Sequence, residues 1–198
     1  MPVARPRHAA SVIVVRESAD GPEMLMGMRG ARHRFMPNRL VFPGGAVDRG
    51  DYRARAAAPL RPDVLMRLAK ASSPRLAPAL AIAAARELHE ETGLSLGMPP
   101  RLDCLDYLCR AVTPPELPIR FDARFLVLDA ARLGGTLAGS GELEGLRYCR
   151  MAEALALDLA LVTRKVLEQL QAWLALSPEQ RRARQQTPVL RKRAWQME

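Results

Sequence analysis

The stretch Arg86-Glu87-Leu88-His89-Glu90-Glu91-Thr92-Gly93-Leu94 is the most informative part of the chain. Glu87, Glu90 and Glu91 stand at i, i+3 and i+4, which on a helix is one face. Three carboxylates that close repel one another, and the arrangement costs stability until something neutralises it. A hard divalent cation that prefers oxygen ligands does so. Such an ion also neutralises charge on a phosphoryl group and lowers the pKa of a bound water. His89 lies two positions from Glu87, about 200° around the helix, and is assigned no role. The same Glu-x-x-Glu-Glu spacing also occurs on ordinary solvated helix faces, so its surroundings decide.

Upstream lies Phe42-Pro43-Gly44-Gly45, and glycines let a backbone come close to a helix or a ligand. Together these segments resemble the box of the Nudix hydrolases, G-x5-E-x7-R-E-U-x-E-E-x-G-U with U aliphatic. Gly45 fills the first position and Asp51 stands where the first Glu is expected. Arg86-Glu87-Leu88, Glu90-Glu91 and Gly93-Leu94 fill the second half. Asp51 keeps the charge of a Glu and shortens its reach by one methylene. Residues 52–85 occupy the place of the x7 spacer. They are expected to loop out between the glycine turn and the helix, since closure entropy grows only logarithmically with length.

An interrupted box of this kind is similar to the branch related to the peroxisomal coenzyme A diphosphatases. The residues that carry this likeness are Arg34-Phe35-Met36-Pro37, Val41 to Gly45, Asp48, Thr113-Pro114 and Arg120-Phe121-Asp122-Ala123-Arg124-Phe125. In the coenzyme A signature of a related branch an Arg and then a Gly precede the FPGG. Arg34 fits that Arg, and Asn38 stands in the place of the Gly. The resemblance covers about residues 9–175.

The resemblance implies an α/β (α+β) chain with the Nudix fold, a mixed β-sheet sandwiched between helices. Glu87, Glu90 and Glu91 would hold Mg²⁺ or Mn²⁺, and Arg86 would orient carboxylates, pairing with Asp51 or Glu87. Gly45 would let the loop pack on the helix, and Gly93 would end that helix. A further carboxylate outside the box serves the family as base or extra ligand; Glu142 and Glu144 are the candidates, and Glu144 is taken into the catalytic set. Substrate phosphates would meet Arg34, Arg29, Gly44 and Gly45, with Arg32 a further candidate. The implied reaction is hydrolysis of a diphosphate in a nucleotide conjugate, with coenzyme A or acyl-CoA first among substrates. Alternatives are an ADP-ribose, NADH or nucleotide-sugar pyrophosphatase, and, from another class, a non-catalytic nucleotide- or RNA-binding module. The intact acidic face speaks against such a sensor.

Composition bounds these readings. The chain has 198 residues, 48% apolar and 26% charged, in keeping with one globular domain. Aromatics make up only 5%, so the core must be built from Leu, Val, Ala and Met. The net charge of +9 favours an anionic partner. That partner is expected to be a nucleotide-diphosphate small molecule; nucleic acid is not expected, and a homodimer is left open. No apolar run is long enough to span a membrane, and no signal peptide is read at the start. Cys104, Cys109 and Cys149 lack metal-ligand spacing and read as free thiols of a cytoplasmic protein.

Along the chain, Ser11–Val15 and Glu23–Met28 read as a hairpin about Asp20-Gly21-Pro22. Arg29–Asn38 reads as a basic loop, Arg39–Phe42 as a short extended piece, and Pro62–Lys70 as a helix. The box helix is expected over Pro78–Thr92. Strands are expected over Leu102–Val112, Phe121–Leu128 and Leu146–Cys149, with a glycine-rich loop at Gly134–Gly141. Met151–Leu176 reads as one helix with Val162, Val166, Leu170 and Leu174 as its packing stripe. Domain boundaries are set at 1–176, with an insertion at about 52–77, followed by a basic tail, 177–198, that is solvated or contacts another copy.

Overall fold

A computed structural model describes residues 4–30 and 36–198. The chain opens with β1 (Arg7–Arg16), β2 (Glu23–Arg29), β3 (Leu40–Val41) and β4 (Gly44–Ala46). Then come α1 (Pro62–Ala69), α2 (Leu76–Thr92), β5 (Leu94–Ser95), β6 (Asp106–Val112) and β7 (Phe121–Asp129). A 3-10 turn at Ala130–Arg132 leads to β8 (Gly134–Gly135), β9 (Leu143–Arg150), α3 (Met151–Ala156) and α4 (Leu161–Leu174). The chain ends with α5 (Pro178–Arg182), β10 (Pro188–Arg191) and β11 (Ala194–Met197).

The main sheet runs β11-β10-β6-β7-β1-β2-β3, with β4 added to β1 and β9 to β2. It is mixed: β1 with β7 and β10 with β6 are parallel, and the other pairs are antiparallel. Successive strand side chains point to opposite faces, and β1 shows the consequence. Ala10, Val12 and Val14 join one core with α1 and α2, while Ile13 and Val15 join the other with α3 and α4. The sheet is therefore sandwiched between helices, as the sequence implied.

α2 lies on the sheet through small residues; Ala77, Ala79, Ala81, Ala83, Ala84 and Ala85 are all buried. It begins at Leu76, before the expected Pro78, because the Ser73 hydroxyl and carbonyl accept the Leu76 N–H at 3.2 and 2.9 Å. Gly93 ends it at φ 72° with its N–H on the His89 carbonyl, the left-handed stop expected of glycine at that position.

Three expectations change. The insertion does not simply loop out. Leu60, Val64 and Leu68 of this segment lie in the core beneath α2, and the buried Arg67 donates to Tyr107 O at 2.7 Å and Asp106 Oδ1 at 2.9 Å. Met151–Leu176 is two helices, broken at Leu157–Ala160, where Leu159 turns into the core and Arg164 donates to the carbonyls of Leu155 and Leu157. A charged side chain thus serves carbonyls that a helix end leaves without partners. Finally, the basic terminal segment is built into the sheet. β10 pairs with β6 in parallel, and Val189 and Leu190 are buried. Among the described residues no helix is long and apolar enough to cross a membrane.

Candidate active site

The glycine turn becomes a strand at the point where it meets the acidic helix. β4 pairs with β1 at Ala9–Ser11, and this fixes Gly44 and Gly45 against the C-terminal half of α2. A Cβ on Gly45 would stand 2.3 Å from Glu87 Oε1, so only glycine admits the carboxylate there. The Gly44 N–H donates to Glu91 Oε2 at 2.7 Å. Loop and helix are thereby one unit, joined through two of the three acidic residues.

Arg86 organises the rest. Its Nε and Nη2 donate to the two oxygens of Asp51 at 3.0 and 3.1 Å, a bidentate pair. Its Nη1 donates to Glu87 Oε1 at 2.8 Å and Glu90 Oε2 at 2.9 Å, and Nη2 also reaches the Ala46 carbonyl. Asp51 is buried and accepts the Asp48 N–H as well. Arg86 therefore pairs with both residues that the resemblance offered it, and the shorter Asp51 reaches it without difficulty.

Burial is graded along the acidic face. Glu91 is buried, Glu87 partly so, and Glu90 exposed. Burial pushes the Glu87 carboxyl above its ordinary value against the pull of Arg86. Burial likewise raises Glu91 to about 7, against the Gly44 N–H and with help from the Glu87 charge. Both shifts mark carboxylates whose charged form burial disfavours. Among the described residues no three acidic, imidazole or thiol groups are already gathered as a metal cluster; Glu87 and Glu90 turn to Arg86 and Glu91 to Gly44. The donor set is nonetheless all carboxylate oxygen, which suits Mg²⁺ or Mn²⁺ and not a thiophilic ion.

The remaining candidates divide. After Gly93 the chain folds back, and Ala138 and Ser140 donate their N–H groups to the carbonyls of Thr92 and Glu91. This return brings Glu142 close enough for its charge to raise both Glu87 and Glu91. Glu144 lies exposed on β9 opposite Met28. Arg29, at the end of β2, lowers Glu91 by its charge, and its Nε is buried without a hydrogen-bond partner among the described residues. Arg32, His33 and Arg34 lie outside the described residues.

Gly44, Gly45 and Arg29 also border a cavity of about 660 Å³ on the α4 side of the sheet. Its walls are apolar, with Val41, Phe42, Phe125 and Leu190 among them, and the first turn of α4 closes one side. Glu116, Lys192 and Arg193 stand on its border too. Sequence reasoning missed this space because it is assembled from residues far apart in the chain. Lys192 and Arg193 carry a signal, their charge, but in the sequence it is indistinguishable from that of a solvated tail.

The NUDIX domain family model matches residues 79–170. A solved NUDIX hydrolase from Alicyclobacillus acidocaldarius superposes with a TM-score of 0.67 at 26% identity, covering 86% of this chain and 93% of that one. A MutT NUDIX hydrolase from Burkholderia pseudomallei gives a TM-score of 0.56 at 20% identity, over 84% and 99% of the two chains. The curated protein named nudix hydrolase 7 in Caenorhabditis elegans is 35% identical over 88 residues. That stretch is 44% of this chain and only 22% of the nematode protein. The NUDIX match begins inside α2 and takes in the whole of Arg86–Leu94. Gly44, Gly45 and Asp51 precede the matched residues and are tied to them by the contacts of Glu91, Glu87 and Arg86.

Proposed function

We propose that this protein is a Nudix hydrolase that cleaves a diphosphate linkage in a nucleotide conjugate, with coenzyme A or an acyl-CoA as its leading substrate. The observation that carries the reading is the joining of the glycine turn to the acidic helix, through Gly45 on Glu87 and Gly44 on Glu91, at the border of a nucleotide-sized cavity. Glu87, Glu90 and Glu91 would hold Mg²⁺ or Mn²⁺, which when bound neutralises phosphoryl charge and activates water.

The chain's own residues supply the rest. Arg86, clamped by Asp51, fixes the directions of Glu87 and Glu90. Arg29 brings positive charge to the same border for the substrate's phosphates. Of the two candidate bases, Glu142 stands first because both Glu87 and Glu91 feel its charge; Glu144 stands second. The apolar walls exclude water and receive the nucleoside body. Asn38, which departs from the coenzyme A signature, adopts a left-handed φ of 52°, where glycine is favoured and Asn is a common substitute. The departure from the signature's glycine thus leaves the backbone as a glycine would. Arg34 keeps its proposed role toward the substrate. The three cysteines are free thiols, in keeping with a cytoplasmic setting.

The test is a hydrolysis panel with Mg²⁺ or Mn²⁺, covering coenzyme A, acyl-CoAs, ADP-ribose, NADH, dinucleoside polyphosphates and capped RNA. The highest kcat/KM is expected for coenzyme A or an acyl-CoA. Preference for ADP-ribose with coenzyme A untouched would overturn the branch and leave the diphosphatase reading. Binding without hydrolysis of any member would overturn the enzyme itself.

A further inference from the structure

We infer that the terminal hairpin supplies a second anion site, in which Lys192 and Arg193 receive a phosphomonoester carried on the substrate's nucleoside. The inference rests on the diphosphatase reading for the identity of the ligand. Its starting point is the register of β10 and β11. Leu190 faces Trp195 and Arg191 faces Ala194, so Lys192-Arg193 is a two-residue turn. Both residues are left-handed, at φ 48° and 66°. Turns of that kind favour Asn-Gly, and a long cationic pair is held there at a cost in backbone strain.

The turn is on a firm support. Leu190 pairs with Ala111 of β6, and both border the cavity. Thr187 and Glu198 exchange both backbone hydrogen bonds at 3.0 Å, and Arg110 grips the Glu198 carboxylate at 2.9 and 3.0 Å. Among the described residues neither Lys192 nor Arg193 makes an ion pair or a side-chain hydrogen bond, whereas their neighbour Arg191 stands 3.8 Å from Glu198. Glu116 borders the cavity as well, and the charged residues of the whole border, Arg29, Lys192, Arg193 and Glu116, leave it net positive.

The cavity thus has positive charge in two places. One is Arg29, beside the glycine turn and the acidic helix; the other is the hairpin, with Phe42, Phe125 and Leu190 also lining the space. A ligand matching this pattern is anionic at its diphosphate, apolar and planar in its body, and anionic again on that body. A ribose phosphomonoester meets the last condition, at either the 2′ or the 3′ position. Lys and Arg are the side chains that recognise it.

The experiment measures binding by calorimetry at fixed ionic strength, with adenosine 5′-monophosphate, adenosine 2′,5′-bisphosphate and adenosine 3′,5′-bisphosphate as probes. The full chain is compared with the double variant Lys192→Asn/Arg193→Gly, which removes both charges while easing the turn, so that folding is not at risk. The wild type is expected to bind one bisphosphate about tenfold more tightly than the monophosphate, on the scale of a charge-assisted contact. The isomer preferred identifies the ribose position. The variant is expected to lose that preference while its affinity for the monophosphate stays within about twofold. A wild type that binds all three alike, or a variant that keeps the preference, would overturn the assignment. No hydrolysis is needed for this readout. A protein that fails the hydrolysis panel but shows the preference has the anion site without the enzyme; one that passes the panel without the preference is the enzyme without the site.

Discussion

At the scale of single residues, the two glycines of β4 make separable predictions. The Cβ of a Gly45→Ala variant would meet the far end of the Glu87 side chain, at 2.3 to 2.7 Å. A flexible side chain can swing aside, so the fold is expected to survive while Glu87 leaves its place. Turnover should fall by at least about tenfold, roughly 1.4 kcal/mol of transition-state stabilisation, with little change in the thermal unfolding midpoint. The Cβ of Gly44→Ala would meet Ala10 O and Ser11 Cα at 2.5 and 2.6 Å. Backbone cannot swing aside, and that variant should lose stability in a thermal melt. Glu90→Gln and Glu91→Gln keep shape and remove charge; each is expected to cost at least about 10²-fold in turnover. Near-normal activity in both would sink the metal assignment. Replacing Asp51 with Ala takes the bidentate partner from Arg86 Nε and Nη2 and leaves Arg86 paired with Glu87 and Glu90 alone, which should cost about 1–3 kcal/mol of folding stability. Urea unfolding would measure it.

At the scale of elements, α1 is the piece whose role the sequence did not show. Leu60, Val64 and Leu68 are each at most 6% exposed, packed under α2. A chain in which residues 52–75 become a Gly/Ser linker is therefore expected to unfold or aggregate, although loop entropy alone would allow it. Leu68→Ala should lower the unfolding free energy by about 2–5 kcal/mol, the range for an emptied core site. A shift under about 0.5 kcal/mol, typical of surface positions, would show that the segment is a surface elaboration after all. What was legible follows from how far each signal reaches along the chain. The acidic face and the Gly93 stop lie within one helix, and Phe121–Asp129 carries a strong apolar run that fixes it to within a residue, whereas in Arg7–Arg16 only the apolar stretch Ser11–Val15 is legible and the start of the strand is not. β4 reads only as a turn in the sequence, because Gly44-Gly45 has no side chains to give a strand period. The break at Leu157–Ala160 was hidden, because apolar residues continue across it and Arg164, which serves the freed carbonyls, lies further on. The terminal hairpin was hidden for the opposite reason: its turn carries Lys-Arg where a turn of that type normally shows Asn-Gly.

At the scale of the whole molecule, the sheet is tied to its C-terminal edge by one buried network. Arg110 donates to both oxygens of Asp122 at 2.6 and 2.9 Å, and also holds Glu198. Arg124, 1% exposed, lies 2.9 Å from the same Asp122 carboxylate and donates to the Ala71 carbonyl beyond α1. Asp122 thus stands between two buried guanidinium groups, with His8 at 3.5 Å. Burial pushes its carboxyl upward, but the Arg110 hydrogen bonds and the Arg124 charge outweigh burial and hold it below the ordinary 3.8. A carboxylate whose folded pKa is depressed binds fewer protons folded than unfolded. Its contribution is present in full above the ordinary value and is lost as pH falls through the lower folded one. The expected outcome is a stability that is flat in this respect from neutral pH down to about 4 and then falls. Asp122→Asn should remove that acid-sensitive component. It should also destabilise the protein at pH 7, because Arg110 and Arg124 would remain buried with a neutral partner, a change costing on the order of 3 kcal/mol. Denaturant unfolding of both proteins at pH 7, 5 and 3 decides the matter: equal stability at pH 7, or parallel losses on acidification, would show that the network does not join α1, β6, β7 and the C-terminal edge energetically.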